Sequence, residues 1–221
     1  VAASRLSRAG SRLAQYNEET ETIRDTKECS VTQVIDSADL RLLVEGIEPA
    51  ATEHLVWHGG QIELDLSLYL TTRTPPPDLT SSGRCIILAG DRVLLMTNPG
   101  GEHILPGGRA EPGEDIRYAT IRELAEETGL NIPNPEPIAA LVYTHTTPKP
   151  EIYPYPYPVF VHAVYIRRLT EPCEVIVNDT YELAGEFVPI AEALNRIPEH
   201  QRVLLKAVIR HESAATAEAL V

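Results

Sequence analysis

Polar and apolar residues alternate most strictly between Ile62 and Leu70. Ile62, Leu64, Leu66, Leu68 and Leu70 are separated by Glu63, Asp65, Ser67 and Tyr69. A period of two sends one set to each face, so residues 61–70 are predicted to form a half-buried strand. Leu55-Val56-Trp57-His58 and the turn pair Gly59-Gly60 precede it and complete a predicted β-hairpin. Its apolar face needs a cover, from the remainder of the chain or from a second subunit. Upstream, Val31–Ile35 reads as a short strand, and residues 37–46 fit either a helix or a strand. In the first seventeen residues Arg5, Arg8 and Arg12 alternate with Ser4, Ser7 and Ser11. That composition is shared with transit peptides, but Leu6, Ala9 and Leu13 fall on one face, and we read an amphipathic helix. No apolar run follows the arginines, so a secretory signal is not expected.

Thr74-Pro75-Pro76-Pro77-Asp78 interrupts the patterning. Consecutive prolines favour an extended segment and cannot donate to a sheet. The chain is therefore divided into an N-terminal module at 1–74, a linker at 75–82 and a second domain at 83–221. In that second domain strands are predicted at 85–89, 92–96, 138–145, 159–169 and 173–177, with a strand end at 186–189. Helices are predicted from Asp115 or Ile116 to Thr128, at 191–196 and from 199 to about 219. This mixture predicts an α/β sandwich with a mixed sheet, preceded by a small α+β module that holds the hairpin.

Composition narrows the partners. The 221 residues carry a net charge of −13. Such a chain repels nucleic acid over most of its surface, so a small-molecule partner is expected and nucleic acid is not. Cys29, Cys85 and Cys173 are scattered and odd in number, which matches neither a disulfide framework nor a zinc site. A reducing, cytoplasmic setting is expected. No run reaches the length of a membrane span.

The chemistry is concentrated in the predicted helix ending at Thr128. Glu123, Glu126 and Glu127 share one helical face, and Ile121, Leu124, Ala125 and Thr128 are expected to face the core. Three clustered acids are often only a solvated face. Here Leu105-Pro106-Gly107-Gly108 and Glu111-Pro112-Gly113-Glu114 form a Gly/Pro-rich loop that runs straight into the helix, and such a loop lets backbone approach a ligand. Clustered carboxylates in a cleft select hard divalent cations such as Mg²⁺ or Mn²⁺. The spacing is Gly108, five residues, Glu114, seven residues, Arg122-Glu123-Leu124, one residue, Glu126-Glu127, one residue, Gly129-Leu130. It resembles the Nudix box, with every specified position filled.

That resemblance implies an α/β/α sandwich over about residues 82–221 and metal-dependent hydrolysis of a nucleoside diphosphate linked to another group, X. It implies Glu126 and Glu127 as metal ligands and Glu123 as a ligand or proton acceptor. Arg122 would orient Glu123 and pair with Glu114, and the Gly107 carbonyl would complete the metal shell. His103 stands where many members carry tryptophan. It joins Lys149, Tyr155, Tyr157 and Glu186 as candidates for substrate contact, each weighed against a purely structural or solvated role. His145 is a further candidate for phosphate, Tyr153 completes the tyrosine loop, and Trp57 reads as a core or dimer contact. A homodimer is expected if the hairpin is covered by a second copy. The alternative function is a nucleotide sensor that uses the same fold without turnover. Hydrolysis at an RNA end suits the box but not the acidity.

Overall fold

The computed structural model describes residues 38–153, 155–178 and 180–218. The strand expected at 31–35 and the helix expected in the first seventeen residues lie outside them. The segment that fitted helix or strand is a helix, α1 (Ala38–Val44). It is followed by β1 (Ala51–Trp57), β2 (Ile62–Leu70), β3 (Thr80–Ala89), β4 (Arg92–Asn98), β5 (Gly101–His103) and β6 (Gly107–Arg109). After these come α2 (Ile116–Thr128), β7 (Glu136–His145), β8 (Val159–Leu169), β9 (Ala184–Pro189), α3 (Ile190–Arg196) and α4 (Glu199–Glu218).

The strands form one mixed sheet in the order β1-β2-β7-β8-β3-β4-β5, with β6 added to β3 and β9 to β4. The β3–β8 pair is parallel and the other pairs are antiparallel. Helices cover both faces. On one face, α2 contributes Leu124 to a core with Cys85, Ile87, Leu94, Met96, Ala163 and Tyr165. On the other, Ala193 and Ile197 of the α3 segment and Leu204, Leu205 and Val208 of α4 join Ile86, Leu88, Leu95 and Phe160.

The hairpin belongs to this sheet. β2 pairs with β7 from Leu64 opposite His145 to Leu70 opposite Ala139. Leu55, Trp57, Ile62, Leu64, Leu66 and Leu68 lie in the same core as α4. The apolar face is thus covered within the chain, and a second copy is not needed for it. Division at residue 74 separates stretches of chain, not separate cores. The alternation also fails at its end. Leu70 is 38% exposed, whereas Ser67 and Tyr69, on the face expected to be polar, are buried. Leu40 and Leu43 of α1 form a small core with Tyr69 there, so this half of β2 is covered on both sides.

Two further expectations are corrected. The linker placed at 75–82 is short: Pro75 and Pro76 are buried and β3 already starts at Thr80. Thr80 N–H donates to the Pro76 carbonyl at 3.0 Å, which turns the chain directly into the strand. The segment 173–177 is not a strand. Val175 and Val177 pack against the α2-side core from an irregular segment, and Ile176 N–H donates to the Thr128 carbonyl at the end of α2. Val175 and Val177 are partly buried, but this backbone joins no ladder.

Candidate active site

Asp115 starts α2. Its carboxylate accepts from the N–H groups of Arg117 at 2.9 Å and Tyr118 at 3.3 Å, which would otherwise be unpaired at the first turn. Gly129, left-handed at φ 71°, ends the helix, and its N–H donates to the Ala125 carbonyl. The buried positions between these caps are Ala119, Thr120, Leu124, Glu127 and Thr128. Ala125, expected inside, is exposed, and Glu127, expected on the acidic outer face, is buried. The acids therefore divide: Glu127 points inward and Glu126 outward.

Arg122 organises the others. Its guanidinium donates to Glu114 through Nε at 3.0 Å and Nη2 at 2.8 Å, and to Glu123 through Nη1 at 2.6 Å. Nη2 also reaches the Arg109 carbonyl at 3.1 Å, which ties the loop to the helix. A two-pronged fork of this kind fixes orientation as well as charge. Arg122 holds the Glu114 carboxyl below the usual carboxylate range, helped by the N–H of Glu111. The Glu123 carboxylate lies flat against Gly108. A Cβ at residue 108 would meet its Cδ and Oε2 at 2.5 Å, so no larger residue fits without moving Glu123.

Glu127 is only 8% exposed, and its Oε2 accepts from Gly107 N–H at 2.7 Å. Burial pushes its carboxyl up to about 8; Arg84 and the Gly107 N–H pull it down, and Glu182 and Glu123 push it further up. Gly107, at φ 130°, would place a Cβ 2.3 Å from the Gly83 carbonyl oxygen, so the box loop sits directly on β3. Arg84 of β3 donates to the Gly107 carbonyl at 2.6 Å. Glu126, 43% exposed, lies 3.8 Å from Arg122 Nη1. Among the described residues no three acid, histidine or cysteine side chains already converge as a cage for a metal. The donors are nonetheless all hard oxygens, and Glu127 is a buried carboxylate facing other negative charge. A divalent cation relieves both conditions.

The structure places the remaining candidates unevenly. His103 does not offer a ring for stacking. Its Nε2 lies 3.2 and 3.3 Å from the two oxygens of Glu182, and its Nδ1 accepts from Leu105 N–H at 3.3 Å. With Nδ1 accepting, Nε2 carries the proton and donates to Glu182. Asn98 Nδ2 adds a bond at 3.4 Å, and Leu183 N–H donates to the Thr97 carbonyl at 2.8 Å, so Glu182 is fastened to the β4–β5 hairpin. Glu182 is the acid that sequence reading missed. It is buried in an irregular segment with no periodicity, and only tertiary structure brings it near Glu127. Glu186, chosen as the late acid, is instead largely exposed and lies 3.5 Å from Arg196 Nη2, which also donates to Glu102, while Nη1 of the same guanidinium donates to Glu192.

The tyrosine loop folds onto the core. Tyr155 stacks on Phe160 at 4.8 Å and 18°, and Phe160 on Tyr143 at 4.7 Å and 4°. The Arg109 guanidinium lies 5.7 Å from the centre of the Tyr155 ring, which brings that tyrosine beside the box. Tyr157 packs on His145 at 5.0 Å and donates to the Thr147 carbonyl at 3.3 Å. His145 also bonds the Tyr153 hydroxyl through Nε2, and burial depresses its pKa. These contacts give His145 and Tyr157 structural partners. Lys149 is exposed in the same loop. Trp57 is a core residue, 5.8 Å from the Tyr143 ring. No described helix is long and apolar enough to cross a membrane.

The NUDIX domain family model matches residues 79–208. The uncharacterized Nudix hydrolase YvcI of Bacillus subtilis is 45% identical over 53 residues, which cover 24% of this chain and 34% of that protein. The chain thus spans about a third of the length of that relative. Among solved structures, the NUDIX domain of Shewanella oneidensis NrtR complexed with ADP ribose is similar at 16% identity and a TM-score of 0.48, over 60% of this chain and 87% of that one. The Bacillus subtilis pyrophosphohydrolase BsRppH is similar at 18% identity and a TM-score of 0.48, over 70% and 92%. With the family model covering more than half of its length and a complete box folded around Arg122, the chain belongs to the Nudix family.

Proposed function

We propose that this protein is a metal-dependent hydrolase that cleaves the diphosphate linkage of a nucleoside diphosphate joined to another group. The observation that carries the reading is the single guanidinium of Arg122 bonded at once to Glu114, Glu123 and the Arg109 carbonyl. The fork on Glu114 anchors the half-buried guanidinium, whose remaining nitrogen holds Glu123 in a fixed pose beside a glycine loop. A merely solvated acidic face has no need of it.

A diphosphate is anionic and resists attack, and a bound Mg²⁺ or Mn²⁺ supplies positive charge and acidifies a water there. Glu126 and Glu127, with the Gly107 carbonyl, are the groups that would hold the ion. Mg²⁺ is commonly held by one or two carboxylates, with substrate phosphates filling other positions, so an incomplete protein cage suits it. Glu123, pinned by Arg122, and Glu182, fastened by His103 and Asn98, are the carboxylates placed to accept the proton of the attacking water. Arg109 over Tyr155 borders the loop where the leaving group would extend.

The test is a screen of nucleotide sugars, ADP-ribose, dinucleotides, coenzyme A and nucleoside triphosphates, with Mg²⁺, with Mn²⁺ and with chelator. Release of nucleoside monophosphate that depends on the metal supports the reading. Tight nucleotide binding with no product under any metal would replace it with a sensor.

A further inference from the structure

The cation already present at this site belongs to the protein. Arg84 projects from β3 and donates through Nη1 to the Gly107 carbonyl at 2.6 Å. That carbonyl is the backbone oxygen assigned above to the metal. The Arg84 charge also acts on Glu127, whose Oε2 holds the Gly107 N–H at 2.7 Å. One residue, Gly107, therefore joins both halves of the arrangement, its N–H on Glu127 and its carbonyl on Arg84. Gly107 and Glu127 are buried and Arg84 is half-buried, so water only partly screens a second positive charge added beside the guanidinium. We propose that Arg84 is an internal counter-cation that occupies the metal-binding face of Gly107 and must release it before a divalent ion can bind. This rests on the hydrolase reading of the site, but it concerns how the site is held before the ion arrives. Arg84 then sets the metal affinity. Binding of the ion is then a displacement.

Mn²⁺ binding to the full chain without nucleotide, followed by loss of the free-ion electron paramagnetic resonance signal at low ionic strength, tests it. Arg84→Met is expected to bind Mn²⁺ about ten-fold tighter than the wild type. Arg84→Lys, which keeps the charge, is expected to stay near the wild type. Glu127→Gln is expected to lose the ion and so shows that the ion binds at this site. Equal or weaker binding by Arg84→Met, with Glu127→Gln still losing the ion, overturns the counter-cation and leaves the hydrolase reading intact. Failure of every form to bind Mn²⁺ overturns both. Should Arg84→Met not fold, the wild type itself decides. The Arg84 Nη1 hydrogen bond, observed by ¹⁵N magnetic resonance, is expected to disappear as Mg²⁺ saturates the site, and its persistence contradicts the proposal.

Discussion

A methyl group at Gly108 would occupy the space now filled by the Glu123 carboxylate, 2.5 Å away. The obstacle is the end of a side chain rather than backbone, so Glu123 can move and the fold can stay. Gly108→Ala is therefore expected to lower kcat about ten-fold or more while the melting temperature changes little, because misplacing one positioned group is costly to catalysis. Gly83→Ala should do the reverse. Its Cβ would fall 1.9 Å from Thr120 Oγ1 and 3.0 Å from the Ile116 carbonyl oxygen. Overpacking there is expected to cost about 1–3 kcal/mol, read as a lower denaturant midpoint. A third residue gives a pH signature. The Glu114 carboxyl is lowered by Arg122, so the pair stabilises the fold above the unfolded value of about 4.3 and loses that stabilisation as pH falls through the lower folded value. Glu114→Gln should be less stable than the wild type at pH 7, and the difference should shrink in acid unfolding titrations. Glu114, Glu123 and Arg122 were all legible in the sequence because their roles are local to one loop and one helix. Glu182 was not, since nothing near it in the chain distinguishes it from Glu186; the His103 and Asn98 bonds that do so come from another hairpin.

At the scale of elements, α2 shows how a site is delivered. Its start is fixed by Asp115, whose carboxylate caps two N–H groups, and Asp115→Ala is expected to cost about 1 kcal/mol. A melting point lower by about 2–4 °C checks this. The helix boundaries were readable from Asp115 and Gly129, but its orientation was off by one position. Helical spacing puts Glu127 on the face of Glu123 and Glu126, yet it turns inward. The Gly107 N–H and the Arg84 charge make an inward carboxylate tolerable, and both come from other elements. The same limit explains β2. Period two marked it correctly as a strand, but the cover that α1 gives to Tyr69 is a tertiary fact.

For the whole molecule, the proline stretch misled. Three prolines mark a break in patterning, yet Pro75 and Pro76 are buried and the hairpin before them fills a seam between β7 and α4. Removal of residues 1–74 should expose the β7 edge and the core residues Leu141 and Tyr143, and the remainder is expected to lose its cooperative unfolding transition. A folded, active fragment would show that the hairpin is dispensable. Sheet order rests on long-range pairing, whereas family and layer architecture follow from the 23 residues from Gly108 to Leu130, which is why the family and fold class were legible and the strand order was not. The hydrolase reading is tested most directly by the rate of nucleoside monophosphate release from the best substrate found, with Mg²⁺ or Mn²⁺, comparing wild type with Glu127→Gln. Loss of about 100-fold or more, with circular dichroism unchanged, is the predicted result. A folded Glu127→Gln that turns over at the wild-type rate would contradict it.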